Sequence, residues 1–565
     1  MVEPRPEERE CDVLVVGSGV AGLSTAIVAA HRGLRVVVAE QNPYFGGTTA
    51  ISAGWAWVPG NPGHQSDDST AEVKTYLKAL APENFNEERL NTFLDTVPEA
   101  IEFFEKNTEV NFVYPEKAPD YQMDLPGSRI GGRAILPGDA DVRMLGKRRR
   151  ELQPYLSSYT VFGYMPQVGA DLTQFLYANR SIKSFAYAGT KLARTWLDQL
   201  VKGQPMKRTN GSAMITRMVK SALDAGVQIW TSTPVESLVQ DSDGTVTGAI
   251  LGGGRHSGVV NALEGVVLAG GGFTGNTTLR RKYFPHDPDG TNHVTPTVGH
   301  NGGSAVMAMT VGGRISNDVF TPGSWAPVTE FKQLRDGRQR LFPHLRQIGL
   351  PGMITVDRKG RRFGNEALSY HDFGRQLLAH DKDEDDTYAW IIADEKCMDT
   401  YGIGYAKPWP IPRKYFRDTG FLVKADTLSE LAAVIGADPD TLETTVERFN
   451  GFARSGEDED FGRGSTAYNH FRGDMAHKPN PNLAELKKAP YYAACIRMGD
   501  LGSFAGLDVD NNAAVLNAES QQIPGLHAVG ASAVSVFGGG YPGYGSHIGP
   551  AMIFGYRLGR DIGRR

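Results

Sequence analysis

Cysteine is scarce in this sequence: only Cys11, Cys397 and Cys495 occur in 565 residues, and they lie far apart. Their spacing excludes a disulfide framework and a cysteine-based metal site, and it suits a reducing cytoplasm. No metal is expected. Long apolar runs are missing too, since none approaches the ~18 residues of a membrane-spanning helix. A cytoplasmic protein is therefore expected, with peripheral attachment to the inner face of the cell membrane as the open alternative. Positive charge is not in excess, because 59 Lys and Arg stand against 64 Asp and Glu. That balance gives no reason to expect a nucleic acid partner. The opening MVEPRPEERECD is polar and acidic, unlike a secretory signal.

Glycine, in contrast, is abundant. The 67 glycines among 565 residues are about 12% of the chain, against a usual level of roughly 7%. They have no period, which excludes collagen, and they cluster where turns and nucleotide loops would lie. The length calls for more than one domain.

The first cluster carries the clearest motif. Val13–Val16 reads as a buried strand, Gly17-Ser18-Gly19-Val20-Ala21-Gly22 is GxGxxG, and Leu23–His31 reads as a helix. A second strand, Leu34–Ala39, closes on Glu40. Strand, glycine turn, helix, strand and terminal acid at this interval form a dinucleotide site. The first glycine makes the turn, the second admits a pyrophosphate, and the third lets helix and strand pack closely. The helix N-terminus attracts the anion, and Glu40 is placed to accept from ribose hydroxyls.

The pieces that follow favour FAD over NAD. Gly46–Gly54, with Gly47, Thr48, Thr49, Ser52, Ala53 and Gly54, is a small-residue stretch suited to lying along a flavin. In Thr231–Glu236, Pro234-Val235 resembles the strand that contacts adenine in flavin-binding proteins, which implies Val235 as a cofactor contact. A later strand runs into Gly270-Gly271, and Ile523–Val529 ends in Gly530. Near the C-terminus, FGGGYPGYGSHIGPAM places Tyr541 and Tyr544 among glycines that let a ligand approach the backbone. His547 and Ile548 are expected beside the flavin.

Together these segments resemble the succinate dehydrogenase/fumarate reductase flavoproteins over nearly the whole chain. Within that superfamily, GYPGYGSHIGPAM resembles the signature of 3-ketosteroid Δ1-dehydrogenases. The resemblance extends to Ala118–Tyr121 ahead of Leu125-Pro126-Gly127, and to Arg361–Tyr370. It implies an α/β fold: a Rossmann-type FAD-binding domain built from two chain segments, with an inserted α+β catalytic cap. It further implies 1,2-dehydrogenation of a 3-ketosteroid. Tyr541 O–H and the Gly545 N–H would form an oxyanion hole, Tyr370 would be the base, and Tyr121 would support it. A quinone or artificial dye would reoxidise the flavin. Thr48 and Thr49 stand where some relatives have a linking histidine, so noncovalent FAD is expected. Δ4-dehydrogenation, a fumarate reductase-like reaction and a noncatalytic electron carrier are the competing readings.

The organisation expected is a first flavin segment at 1–316, a cap at 317–497, and a second flavin segment at 498–565. Residues 149–208 mix aromatics with Arg180, Lys183, Lys191 and Arg194. Two readings of that insertion stand: a membrane-surface element or a packing element.

Overall fold

The structure, a computed structural model, describes residues 9–63, 68–287, 289, 301–384, 386–408 and 411–564. Its first sheet is built on the strand Arg9–Val16, which runs parallel to Val36–Ala39 on one side and Gly258–Leu268 on the other. Gln228–Trp230 and Gln522–Ala528 extend the parallel core at its two sides. Alternate residues of each central strand enter different cores. Val13, Val15, Val36 and Val38 pack with the helices Val20–His31, Asn210–Asp224 and Ile548–Asp561. Leu14, Val16, Val37 and Ala39 pack on the opposite face with Val260, Leu268 and Leu526. Burial on both faces explains the unbroken valine runs in these strands.

The chain joins this sheet in two portions, since Gln522–Ala528 pairs with Gly258–Leu268 across a long intervening segment. That segment forms a second, antiparallel sheet. Its strands Gly323–Lys332, Tyr388–Asp394 and Tyr491–Ser503 pair in the order first, third, second. Tyr491–Ser503 runs past the boundary expected at 497 and ends six residues later.

Several elements differ in detail from the sequence reading. The strand expected at Thr231–Glu236 is observed at Val235–Gln240. Tyr370, at the end of the segment Arg361–Tyr370, is the first residue of the helix Tyr370–His380. Ser369 caps it by accepting from the Asp372 N–H at 3.0 Å, so an N-cap signal three residues from an acid marked the start.

Residues 149–208 contain a short helix, Ala170–Leu176, and a long one, Ile182–Lys202. The long helix leaves Ile182, Phe185, Trp196, Leu197, Leu200 and Val201 exposed. Arg180 is no free surface charge: its Nη1 donates to Asp474 at 2.9 Å, and its guanidinium lies over the rings of Tyr177 and Tyr401. No described helix is long and apolar enough to cross a membrane.

Candidate active site

A cavity of about 1200 Å³ runs from the glycine turn to the inner face of the second sheet. At one end, Gly17, Ser18, Gly19 and Ala21 line it together with Glu40. Gly17 has φ +105°, and a Cβ there would meet the Ala269 carbonyl oxygen at 2.5 Å. No other residue fits that turn without displacing the neighbouring strand. Glu40 Oε2 accepts from the Ser18 N–H at 3.2 Å and the Ser18 hydroxyl at 2.6 Å. Its Oε1 accepts from the Asn42 N–H at 2.9 Å. The carboxylate therefore ties the second strand to the glycine turn as well as facing the cavity.

Of the eighteen residues assigned to the cofactor from sequence, all but Gly22 line this cavity: Gly47, Thr48, Thr49, Ser52, Ala53, Gly54, Val235, Gly270, Gly271, Gly530, His547 and Ile548 join the five above. Gly22 has the packing role instead, since a Cβ there would lie 2.1 Å from the Gly17 carbonyl oxygen. Sequence reasoning passed over Asn301, Gly303, Ser304 and Met307, which line the same wall. A Gly302 in the left-handed region opens their helix, Gly303–Thr310, and that glycine was the available signal. The residues present fit FAD: a glycine cradle at a helix N-terminus for the pyrophosphate, a carboxylate for the ribose, and small residues along the flavin path.

At the other end the tyrosines meet. The Tyr121 and Tyr370 hydroxyl oxygens lie 3.3 Å apart. Tyr370 donates to the Tyr541 hydroxyl at 2.7 Å. Three segments far apart in sequence thus form one hydroxyl chain, buried with Ala326, Tyr468 and Phe504. Burial pushes the Tyr370 phenol well above its ordinary range, and the Tyr121 hydrogen bond pulls it back down. Tyr541 is pushed up to about 12 by burial, with the Tyr370 hydrogen bond pulling the other way.

Gly545 completes this end of the cavity. At φ +91°, a Cβ on it would meet the Trp55 carbonyl oxygen at 2.2 Å. Its carbonyl accepts from the Trp57 N–H at 3.2 Å, which holds the GYPGYG segment against the stretch that follows Gly54. Tyr544 lines the cavity, its ring edge-on to Tyr121 at 4.9 Å. His547 stacks on Phe504 at 4.8 Å.

The insertion also reaches this site. Tyr159, Val161, Met165, Leu172, Leu176 and Tyr177 line the cavity, so part of 149–208 walls the ligand space. Neither reading of the insertion anticipated that role, because its aromatics look alike in sequence whether they pack or line. Two cations, the half-buried Arg346 and the buried Arg472, line it as well. Sequence reasoning, which expected only phenols and backbone donors here, missed both.

A glycine turn backed by a helix N-terminus, facing a buried chain of phenols across one cavity, defines a flavin-binding oxidoreductase. Comparison with known proteins gives the family. A family profile described as FAD binding domain matches residues 12–548. The chain is 64% identical to 4-oxocyclohex-2-ene-1-carboxylate 5-dehydrogenase of Sinomonas cyclohexanicum, over 98% of this chain and 94% of that protein. It is 34% identical to 3-oxosteroid 1-dehydrogenase of Mycolicibacterium smegmatis, over 98% and 97% of the two chains. Among solved structures it resembles 3-ketosteroid Δ1-dehydrogenase of Sterolibacterium denitrificans in complex with 1,4-androstadiene-3,17-dione. That match has a TM-score of 0.90 and 32% identity, covering 98% of this chain and 99% of that one. The chain belongs to the FAD binding domain family and is a FAD-dependent dehydrogenase.

Proposed function

We propose that this protein oxidises a cyclic ketone across the CH–CH bond beside its carbonyl, and that the ketone is a 4-oxocyclohexene carboxylate. The observation that carries the reaction is the hydroxyl chain Tyr121–Tyr370–Tyr541 beside Gly545. The small carboxylate ring is supported by the 64% identity to a relative named for it, against 34% for the steroid enzyme.

The C–H next to a carbonyl ionises only as negative charge spreads onto the ketone oxygen. The Tyr541 O–H and the Gly545 N–H are the donors for that oxygen, and such donors stabilise the enolate-like state more than the ketone. Tyr370 receives the proton at its phenolate oxygen. Tyr541 carries a single proton, so once it donates to the ketone it has none for Tyr370. Tyr121 is then the donor that holds the Tyr370 phenolate. When bound, FAD supplies the acceptor for the hydride that leaves the second carbon. The electrons pass on to an external acceptor, a quinone or an assay dye.

A pH dependence follows. Tyr370 works as the phenolate, and burial raises its pKa, so the reduction rate rises with pH from neutral into the alkaline range. Tyr121→Phe removes the hydrogen bond that lowers that pKa, so the whole limb moves to higher pH. A pH–rate profile of flavin reduction measures it, and an unmoved limb would remove Tyr121 from the mechanism.

A second reading, 1,2-dehydrogenation of a 3-ketosteroid, is favoured by the TM-score of 0.90 to the steroid enzyme. Anaerobic flavin bleaching with 4-oxocyclohex-2-ene-1-carboxylate and with androst-4-ene-3,17-dione separates the two. Rapid bleaching by the acid and none by the steroid is expected; the reverse overturns the substrate assignment.

A further inference from the structure

The catalytic end of the cavity carries more positive charge than its own residues neutralise. Arg472, 3% exposed, closes the short helix Ala467–Arg472 and lies one turn from Tyr468, with its guanidinium 5.8 Å from that ring. Its Nε and Nη2 are buried and make no hydrogen bond to the described residues. Arg346, just after the strand Gln339–Pro343, lines the same cavity, and its buried Nε also makes no hydrogen bond to the described residues. Neither guanidinium joins an ion pair among the described residues.

The two cations act on one another. Burial lowers the pKa of Arg346, and repulsion from Arg472 lowers it further. Lys407 lines the cavity too, and burial brings it down to about 8. Asp474 is the one carboxylate lining this end among the described residues, and its charge is already engaged. It accepts from Arg180 at 2.9 Å, from the Tyr401 hydroxyl at 2.6 Å, from the Ala476 N–H at 3.0 Å and from Tyr177. Glu40 is held by Ser18 and Asn42 at the glycine turn.

Guanidinium nitrogens buried without a paired carboxylate are costly, and a neutral steroid would leave those of Arg346 and Arg472 uncompensated. A ligand carboxylate would satisfy it, since its two oxygens match guanidinium forks. Arg472 also lies within electrostatic reach of Tyr121, Tyr370 and Tyr544, so the cationic site and the hydroxyl chain face one ligand space. We infer that Arg346 and Arg472 form a carboxylate subsite that fixes the far end of a ring whose ketone sits at Tyr541 and Gly545, making them the specificity-determining pair of this protein. The inference rests on the reading of a ring carboxylate as substrate.

The test uses ligands that cannot react, so that it stands apart from turnover. Binding of cyclohexanecarboxylate and of cyclohexanecarboxamide to the FAD-loaded protein is measured by calorimetry. The comparison covers wild type, Arg346→Gln and Arg346→Lys, each checked for FAD content. Wild type is expected to prefer the acid by roughly 10²-fold, the scale of a desolvated charge contact. Arg346→Gln should reduce that ratio at least tenfold, and Arg346→Lys should restore part of it. Equal affinity for acid and amide in wild type, no measurable acid binding, or a ratio unmoved by Arg346→Gln overturns the subsite. Acid-selective binding without flavin bleaching by 4-oxocyclohex-2-ene-1-carboxylate would leave the subsite standing and remove the proposed reaction.

Discussion

Tyr370→Phe is expected to slow flavin reduction by up to roughly 10⁴-fold while substrate still binds, the upper range for losing a positioned general base. The variant deletes one oxygen from a buried position and leaves the ring, so packing against Tyr121 and Tyr541 is kept. It also deletes the hydroxyl that donates to Tyr541 in the ligand-free site. Tyr541 only accepts in that contact, so its own proton stays available to the ketone in the variant. Ground-state binding should therefore hold as the rate collapses. Stopped-flow bleaching under anaerobic conditions gives both numbers from one titration. Near-normal reduction would remove Tyr370 as the base and, with it, most of the case for α,β-dehydrogenation by this site.

Tyr541→Phe is expected to reduce the same rate by roughly 10²–10³-fold, the usual cost of one oxyanion donor. Its effect differs in kind from that of Tyr370→Phe. The donor strengthens as charge develops on the ketone oxygen, so the loss falls on the reduction step more than on binding. Burial already holds Tyr541 up to about 12, so it stays protonated as a donor across the working pH range. The pH–rate limb assigned to Tyr370 should thus survive in Tyr541→Phe at a lower amplitude. A binding defect with an unchanged reduction rate would show that Tyr541 only positions the ring.

The dinucleotide half of the fold was legible in the sequence because its signals are local. Gly17, Gly19 and Gly22, the valine-rich strands around them and Glu40 lie within one βαβ unit, where turn geometry and two-sided burial leave few alternatives. The tyrosines of the candidate site were legible in part, since each sits in a recognisable short segment. That Tyr121, Tyr370 and Tyr541 form a single hydroxyl chain was decided only by tertiary structure, for they come from three segments brought together between two sheets.

The charged wall of the cavity was not legible at all. Arg346 and Arg472 carry no motif, and nothing in a linear sequence distinguishes an arginine with a carboxylate partner from one without. Arg180 and Arg472 show the difference: Asp474 neutralises the first, while the second is buried facing the ligand space. The glycine turn determined a dinucleotide site by itself, and the later glycine-ended segments, with the family resemblance they carry, pointed to a two-segment flavin protein. Which groups face its ligand, and the charge they present, depended on long-range packing, because burial and counterions are properties of the folded chain.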